Sequence, residues 1–246
     1  MFFSRILPAA QSREKAIAAL RANLASLGVI SLLMFVFVPL GRAADGETAS
    51  LDWPTYRRDN HRSGRYPRDL ELPLIPLWTH QPDHPPQEAW PGTARSDFWR
   101  KRTTPEKPRV TYDKAYHVVA AGDRVLYGTS ADDQVVCLRL RTGEVLWRFF
   151  AEGPVRLAPT ITGDRVLFGS DDGYVYCVSL SDGKLIWKQS AMDSPAERLP
   201  GNGRIISKFP IRAGVLVRDG TVYFAAGLFP SQGVWYCSLA LDDGRR

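Results

Sequence analysis

The sequence has few of the residues that bind metals, form disulfides or act as nucleophile–base pairs. Four histidines and three cysteines occur in 246 residues, and no two cysteines are adjacent. His80 and His84 lie four residues apart, but Pro82, Pro85 and Pro86 exclude a shared helical face. Neither these two nor the other histidines, His61 and His117, show the spacing of metal ligands. With no Gly-x-Ser-x-Gly motif and no phosphate-binding glycine loop, the sequence predicts no zinc site and no catalytic residue.

A large excess of charge of one sign is also missing. The formal net charge is +6, but residues 1–43 carry five basic residues and one acidic residue. Without this segment the chain holds 27 basic and 25 acidic residues, a net charge of +2. Proteins that bind nucleic acids concentrate basic residues in a patch. The composition therefore predicts no nucleic-acid partner.

Residues 1–43 have the layout of a targeting segment. A basic stretch precedes residues 22–41, which carry no charge, and Gly41 and Ala43 place small residues at a cleavage site after Ala43. This pattern is typical of a secretory signal peptide. The alternative is an uncleaved membrane anchor through residues 22–41, because about 20 apolar residues suffice to span a bilayer. Both readings predict an exported protein of the periplasm or cell envelope, and the second adds an anchor in the inner membrane.

The remaining sequence contains an internal repeat of 40 residues. The runs Cys137–Trp147 and Cys177–Trp187 match at their cysteine, glycine and tryptophan positions. A third copy begins at Cys237 and reaches Gly244, so that its tryptophan is expected at position 248. A period near 40 residues with strand-forming composition indicates a β-propeller. We therefore predict an all-β, partial propeller with two complete four-stranded blades and a third incomplete one.

Each repeat reads as strands a to d separated by short turns rich in glycine and aspartate. The predicted strands are 118–121, 124–130, 134–140 and 144–150 in the first repeat, 157–162, 165–170, 174–180 and 184–189 in the second, and 211–217, 221–226 and 234–241 in the third. No helical periodicity competes with this reading after residue 44. The domain prediction is a targeting segment at 1–43, a lead-in at 44–117 and propeller repeats at 118–246.

Several residue types in the repeats have packing interpretations. The tryptophan of strand d is expected to fill the wedge between blades, and the glycine four residues earlier to close the c–d turn. Because Cys137, Cys177 and Cys237 begin equivalent runs, we expect three buried thiols that face alike and form no disulfides. The acidic residues of the hairpin turns, Asp132, Asp133, Asp171 and Asp172, are expected to serve those turns and not a Ca²⁺ ion.

The lead-in contains a segment that resembles an outer strand. Trp78 ends a short apolar run, and we predict that residues 74–80 form a lone strand d that closes the ring.

Two segments are longer than the repeat allows. They are residues 81–110 and 190–210, and both fall between strand d of one blade and strand a of the next. Such connections emerge on one face of a propeller, where binding sites commonly lie. We predict a protein or small-molecule ligand on this face. The alternative is that the insertions only fill space between blades.

The repeats resemble those of the PQQ-like propeller family. Its motif Ala-x-Asp-x-x-Thr-Gly-x-x-x-Trp is matched at Thr142, Gly143 and Trp147, and at Gly183 and Trp187. The runs 122–128 and 163–169, both Gly-Asp-Arg-Val-Leu-(Tyr/Phe)-Gly, and the opening 53–64 are also similar to that family. The motif's alanine is replaced by cysteine, and its aspartate by Arg139 or Ser179.

The resemblance implies one of two functions. PQQ-like propellers include quinoprotein dehydrogenases, which use PQQ, Ca²⁺, an aspartate base and often a ring of adjacent cysteines, and they include non-catalytic scaffolds of outer-membrane assembly. No adjacent cysteine pair is present. We therefore expect an exported, non-catalytic binding scaffold without PQQ or Ca²⁺. The alternative is a fragment of a PQQ-dependent quinoprotein dehydrogenase.

Overall fold

The computed structural model describes residues 50–89, 115–192, 197–201, 204–228 and 232–246. All regular structure within these ranges is β-strand. No helix of the described residues is both long enough and apolar enough to cross a membrane. The targeting segment predicted at residues 1–43 lies outside the described residues.

Within the described ranges, thirteen strands form three propeller sheets and one small hairpin. They are β1 Val118–Ala121, β2 Arg124–Thr129, β3 Gln134–Arg139, β4 Val145–Phe150, β5 Thr160–Thr162, β6 Arg165–Gly169, β7 Tyr174–Ser179, β8 Leu185–Ser190, β9 Arg198–Gly201, β10 Arg204–Ser207, β11 Leu216–Arg218, β12 Thr221–Ala226 and β13 Trp235–Ala240.

Blade 1 is the antiparallel sheet β1–β4, and blade 2 is the antiparallel sheet β5–β8. Blade 3 contains β11–β13. The predicted partial propeller with two complete blades is therefore confirmed. The hairpin β9–β10 lies within the insertion 190–210, where the sequence predicts only a loop. Its strands pair from Arg198 with Ser207 to Gly201 with Arg204.

The first strands of blades 2 and 3 are shorter than predicted. Strand β5 begins at Thr160 and not at residue 157, and β11 begins at Leu216 and not at residue 211. The residues before them bond to the preceding blade: Val155 N–H donates to the Thr129 carbonyl over 3.1 Å, and Ile211 N–H donates to the Ser170 carbonyl over 3.0 Å. These N–H groups are therefore unavailable for a ladder within their own blade.

The core consists of apolar layers between adjacent blades. Val135 and Cys137 of blade 1 pack with Phe168 and Tyr176 of blade 2, and all four are at most 2% exposed. The rings of Phe168 and Tyr176 are stacked, with centroids 5.2 Å apart. A second layer joins blades 2 and 3. The central strands β6 and β7 of blade 2 are thus buried on both faces, which explains their nearly continuous runs of apolar residues.

The prediction that the three cysteines face alike is wrong for Cys237. Ser179 N–H bonds to the Lys184 carbonyl in blade 2, and Ala240 N–H bonds to the Arg245 carbonyl in blade 3, so Ala240 is the equivalent of Ser179. Counting back two residues makes Ser238 the equivalent of Cys177. A shift by one residue turns a side chain to the other face of a sheet. Cys237 therefore points toward blade 2 and is partly exposed, whereas Cys137 and Cys177 are fully buried.

The tryptophan of each outer strand joins two blades through one recurring contact. Trp147 Nε1 donates to the Leu180 carbonyl over 3.0 Å, and its ring lies against Gly183 of the next blade. Trp187 repeats this contact with the Leu241 carbonyl and Gly244. The glycine therefore does more than close its own turn, as the sequence suggested, because it also makes room for the indole of the preceding blade.

Trp78 makes the same contact from the lead-in. Its Nε1 donates to the Leu140 carbonyl over 2.8 Å, and its ring lies against Gly143 of blade 1. Residues 74–80 form no ladder with the described residues, so the predicted strand is not observed. Trp78 nevertheless has the position of an outer-strand tryptophan of a blade before blade 1.

The start of the lead-in runs along the first strands of all three blades. Trp53 exchanges two backbone hydrogen bonds with Ala120 of β1. The Thr55 hydroxyl lies 2.9 Å from that of Thr160 in β5. Asn60 Nδ2 donates to the Val217 carbonyl of β11 over 2.7 Å. This segment thereby links the inner edges of the blades.

Candidate binding face

The two predicted insertions meet on one face of the propeller. In an antiparallel blade, the hairpin between the second and third strands lies at the same end as the connection to the next blade. This surface, here called the loop face, consists of residues 81–89, 130–133, 151–156, 171–173, 197–201 and 204–212. Arg204 Nη1 joins both insertions, donating to Gln87 Oε1 over 3.1 Å and to the Ser130 carbonyl over 2.8 Å. Residues 90–110 of the first insertion lie outside the described residues.

Asp171 lies at the centre of the loop face with a fully buried side chain. Arg212 binds it with two parallel hydrogen bonds, Nε to Oδ1 at 2.7 Å and Nη2 to Oδ2 at 2.8 Å. Arg156 Nε reaches Oδ2 at 2.7 Å, and Arg156 Nη1 donates to the Gln87 carbonyl. The expectation that Asp171 serves its turn is therefore wrong. A buried carboxylate requires paired cations, and here the cations come from the two segments that flank blade 2 in the chain. The Asp171 carboxylate therefore ties the hairpin of blade 2 to Arg156 before the blade and Arg212 after it.

Asp133 forms a second ion pair in the hairpin of blade 1. Arg204 Nη2 lies 2.6 Å from Asp133 Oδ2, and both side chains are about one quarter exposed. Burial raises the pKa of Asp133 to about 6, although the Arg204 charge acts in the opposite direction. We attribute the net rise to the loss of water around the carboxyl group. This pair holds the hairpin β9–β10 against blade 1.

Asp172 has the turn role that the sequence predicts. Its Oδ1 accepts the Tyr174 N–H at 2.9 Å, and its Oδ2 accepts the Tyr176 hydroxyl at 2.5 Å. Burial raises the pKa of Asp172 above its usual value, and burial beside this carboxyl also raises the pKa of Tyr176.

Glu152 lies on the same face and binds Lys188 and Arg198. The hydrogen bond from Lys188 is the main cause that lowers the pKa of Glu152.

The histidines bind separate partners. His80 Nε2 lies 2.8 Å from the Tyr127 hydroxyl, and His84 Nδ1 lies 2.6 Å from Asp132 Oδ1. The ring of His117 meets that of Tyr56 edge-on. Within the ranges that the structure describes, no three histidine, cysteine or acidic side chains converge as a metal site would require.

The described carboxylates of the loop face do not offer the free oxygen ligands that a Ca²⁺ ion needs. Calcium requires six to eight oxygen ligands with several free carboxylates. Here Asp171 is bound by two arginines, Asp133 by Arg204, Asp132 by His84, and Asp172 by Tyr176 and backbone N–H groups. The sequence did not single out the arginines of the connections as their partners. The available signal was the presence of arginines in the connections next to hairpins rich in aspartate: Arg156 in one connection, and Arg198, Arg204 and Arg212 in the next.

Comparisons with known proteins place these repeats among PQQ-type propellers. Over 112 residues the chain is 33% identical to polyvinylalcohol dehydrogenase of a Sphingopyxis species, which covers 42% of this chain and 16% of that enzyme. Over 83 residues it is 30% identical to quinoprotein ethanol dehydrogenase of Pseudomonas aeruginosa, which covers 30% of this chain and 13% of that enzyme. The chain thus spans less than a fifth of the length of these relatives.

Two solved structures are similar to part of this chain. Quinohemoprotein alcohol dehydrogenase from Comamonas testosteroni matches 80% of this chain and 26% of its own at 14% identity, with a TM-score of 0.49. BamB from Moraxella catarrhalis matches 57% of this chain and 55% of its own at 14% identity, with a TM-score of 0.31. The family model described as outer membrane protein assembly factor BamB matches residues 91–242, more than half of the chain. The chain belongs to this family.

Proposed function

We propose that this chain is an exported propeller protein that binds a protein partner through its loop face without catalysing a reaction. The observation that carries the proposal is the pairing of acidic side chains on this face. Asp133, Asp171 and Glu152 are each bound by arginine or lysine side chains of the connections. Carboxylates that are paired in this way stabilise the conformation of the surface. They are poorly suited to act as metal ligands or as general bases. The BamB family assignment supports a scaffold role.

The loop face offers contact groups around this rigid centre. Ile205 of the hairpin β9–β10 is 58% exposed, and its ladder partner Pro200 lies two residues from Arg198, whose side chain is 39% exposed and pairs with Glu152. Arginine is enriched among the residues that dominate binding at protein interfaces, and Ile205 adds exposed apolar area on the same hairpin. The targeting segment at 1–43 supports export, with the periplasm or cell envelope as the location, and anchoring through residues 22–41 belongs to the same proposal.

A photo-crosslinking residue at position 205 tests the binding face in cells. We expect one discrete crosslinked product from position 205. Leu140 is 41% exposed and lies in a turn at the opposite end of blade 1, so it supplies the matched control position. Equal products from positions 140 and 205, or none from either, would contradict a partner on the loop face.

A second candidate, a fragment of a PQQ-dependent quinoprotein dehydrogenase, is favoured by the two dehydrogenases that match at 33% and 30% identity. Titration of the full chain with PQQ and Ca²⁺, followed by calorimetry, separates the candidates. We expect no saturable binding, because the carboxylates of the loop face are already paired. One-to-one binding in the micromolar range or tighter would favour the dehydrogenase.

A further inference from the structure

A narrow slot lies between residues 80–83 of the lead-in and blade 1. Its blade side includes Thr129, Gln134 and Arg148. The slot has a volume of about 10 Å³, which leaves room for about one water-sized group. Asp83 and Arg148 are exposed, whereas Gln134 is buried. The slot therefore opens to solvent beside the two charged residues and ends at Gln134.

Gln134 presents an unused hydrogen-bond acceptor at the end of the slot. This residue is 5% exposed, and within the described part of the chain its Oε1 has no hydrogen-bond partner. A buried amide oxygen without a donor costs free energy. A group that fills the slot must therefore donate an N–H or O–H to this oxygen.

Two carboxylates make the slot favourable for a positive charge. Asp83 and Asp132 both line it. Burial raises the pKa of Tyr127, which also lines the slot, to about 12, and the charges of the two carboxylates act in the same direction. Arg148 opposes them with a single positive charge. The slot therefore favours a group that donates hydrogen bonds and carries a positive charge.

The joint between blades 1 and 2 holds such a group. There Lys188 of β8 binds Glu152 through its Nζ atom. The same Nζ atom lies 4.1 Å from the centre of the Tyr174 ring and 5.2 Å from that of the Tyr176 ring. The Lys188 side chain is only 22% exposed. This joint therefore encloses an ammonium group between a carboxylate and the face of a blade.

The slot has the equivalent position one joint earlier. The equivalent pairs are Trp78 and Trp147, Asp83 and Glu152, and Arg148 and Lys188. The tryptophans make the same contact with the next blade, and the carboxylates follow them by five residues. The two cationic residues have the same place in the ladders β3–β4 and β7–β8. Unlike Glu152, the Asp83 carboxylate forms no hydrogen bond or ion pair within the described ranges. The slot thus retains the carboxylate without the lysine.

We propose that the slot binds a primary ammonium group, which belongs to a lysine of the partner on the loop face. The assignment to a partner lysine rests on the proposed function, whereas the ammonium site does not. The three N–H donors of the group match three acceptors, namely Gln134 Oε1 and the carboxylates of Asp83 and Asp132. A guanidinium group is broader than the slot, and a water molecule brings no charge to the two carboxylates.

Methylammonium chloride probes the site in the full chain, solubilised in detergent. Its cation is the head group of a lysine side chain, and saturation-transfer NMR on its methyl group measures binding. We expect a dissociation constant on the order of 10 mM, near the limit for a ligand of two non-hydrogen atoms. Tetramethylammonium chloride at the same concentration is the matched control. It carries the same charge but no N–H donor, so it should show no saturable binding.

The variants R148K and R148Q form a matched pair. R148K places an ammonium group at the position equivalent to Lys188, so it should fill the slot and weaken methylammonium binding about ten-fold. R148Q removes a competing charge without filling the slot, so its binding should be at least as tight as that of the wild type. Thermal unfolding shows that each variant remains folded.

The variants D83N and Q134M test the acceptors of the slot. Each should weaken methylammonium binding about five-fold, because each removes one charged or polar acceptor. D69N is the matched control, because Asp69 is also exposed but does not line the slot. It should bind methylammonium as the wild type does.

The results separate the ammonium site from the proposed function. The absence of saturable methylammonium binding, equal binding of the two ammonium salts, or equal binding by R148K and R148Q would overturn the site. Crosslinking from position 205 tests the partner lysine, and its yield should fall about five-fold in D83N but not in D69N. An unchanged yield in D83N would overturn the assignment to a partner lysine. Loss of the crosslink in the wild type contradicts the proposed function instead.

Discussion

The indole of Trp147 lies against Gly183 of the following blade, so closely that a Cβ atom on Gly183 would lie 2.7 Å from the ring. Gly183 also has a φ of +72°. The same residue therefore satisfies a backbone requirement and a packing requirement. This relationship recurs between Trp187 and Gly244 and between Trp78 and Gly143. It sets the spacing of the blades, because the ring fills the gap that the splayed outer strands leave.

The substitution G183A should destabilise the chain by about 2–4 kcal/mol, since a left-handed backbone conformation and an overpacked contact each cost about 1–2 kcal/mol. Gly163 supplies the matched control. It has a φ of +55°, but a Cβ atom added there would meet nothing within 4 Å, so G163A should cost only about 1 kcal/mol. Urea unfolding measures both. Equal losses would show that the indole contact contributes nothing.

The substitution D171N should lower the free energy of unfolding by about 3–5 kcal/mol. It leaves Arg156 and Arg212, whose side chains are only 5% and 12% exposed, without the carboxylate that both contact. The exposed pair of Asp164 and Arg165 gives the comparison, because the Asp164 side chain is 93% exposed. D164N should change the stability by no more than about 0.5 kcal/mol. A small effect of D171N in the same assay would refute the structural role of the pair.

Asp133 should make the stability depend on pH. Its pKa is raised from 3.8 to about 6 in the folded chain, so the folded chain holds a proton that the unfolded chain releases near pH 4. The resulting stabilisation, about 3 kcal/mol, is present below pH 4 and is lost as the pH rises through 6. D133N should reduce, by about this amount, the change in the free energy of unfolding between pH 4.5 and pH 7.5. Unfolding curves recorded at both pH values measure that change.

The variant R204A provides the second test of that assignment. The Arg204 charge lowers the pKa of Asp133, so its removal should move the loss of stability to higher pH. If D133N and R204A both keep the wild-type pH profile, another group causes the dependence.

The three thiols should react at different rates in the folded protein. Burial raises the pKa of Cys137 to about 12 and that of Cys177 to about 11, and both side chains are fully buried. Cys237 lies on β13 and is partly exposed. At pH 8 a thiol reagent should label Cys237 first and the other two only after unfolding. Mass spectrometry of the labelled peptides distinguishes the sites, and simultaneous labelling of all three would contradict this difference in burial.

The sequence by itself determined the architecture. The repeat of 40 residues, the glycine-aspartate turns and the runs of aromatic and β-branched residues predicted most strands to within one or two residues, because these are local properties of the chain. The shared position of both insertions also followed from the order of strands in a blade. The sequence further indicated that Trp78 behaves as an outer-strand tryptophan, since its run of residues resembles the other two.

Only the tertiary structure decided which groups meet across blades. One extra residue between Cys237 and Gly244 turned that cysteine to the other side of its sheet, and a motif match does not reveal such a shift. The pairing of Asp171 with Arg156 and Arg212 joins residues 15 and 41 positions away. Such contacts depend on how the blades and their connections pack in three dimensions. Local patterns in the sequence carry no information about that packing, so the loop face could be placed from the sequence but its chemistry could not.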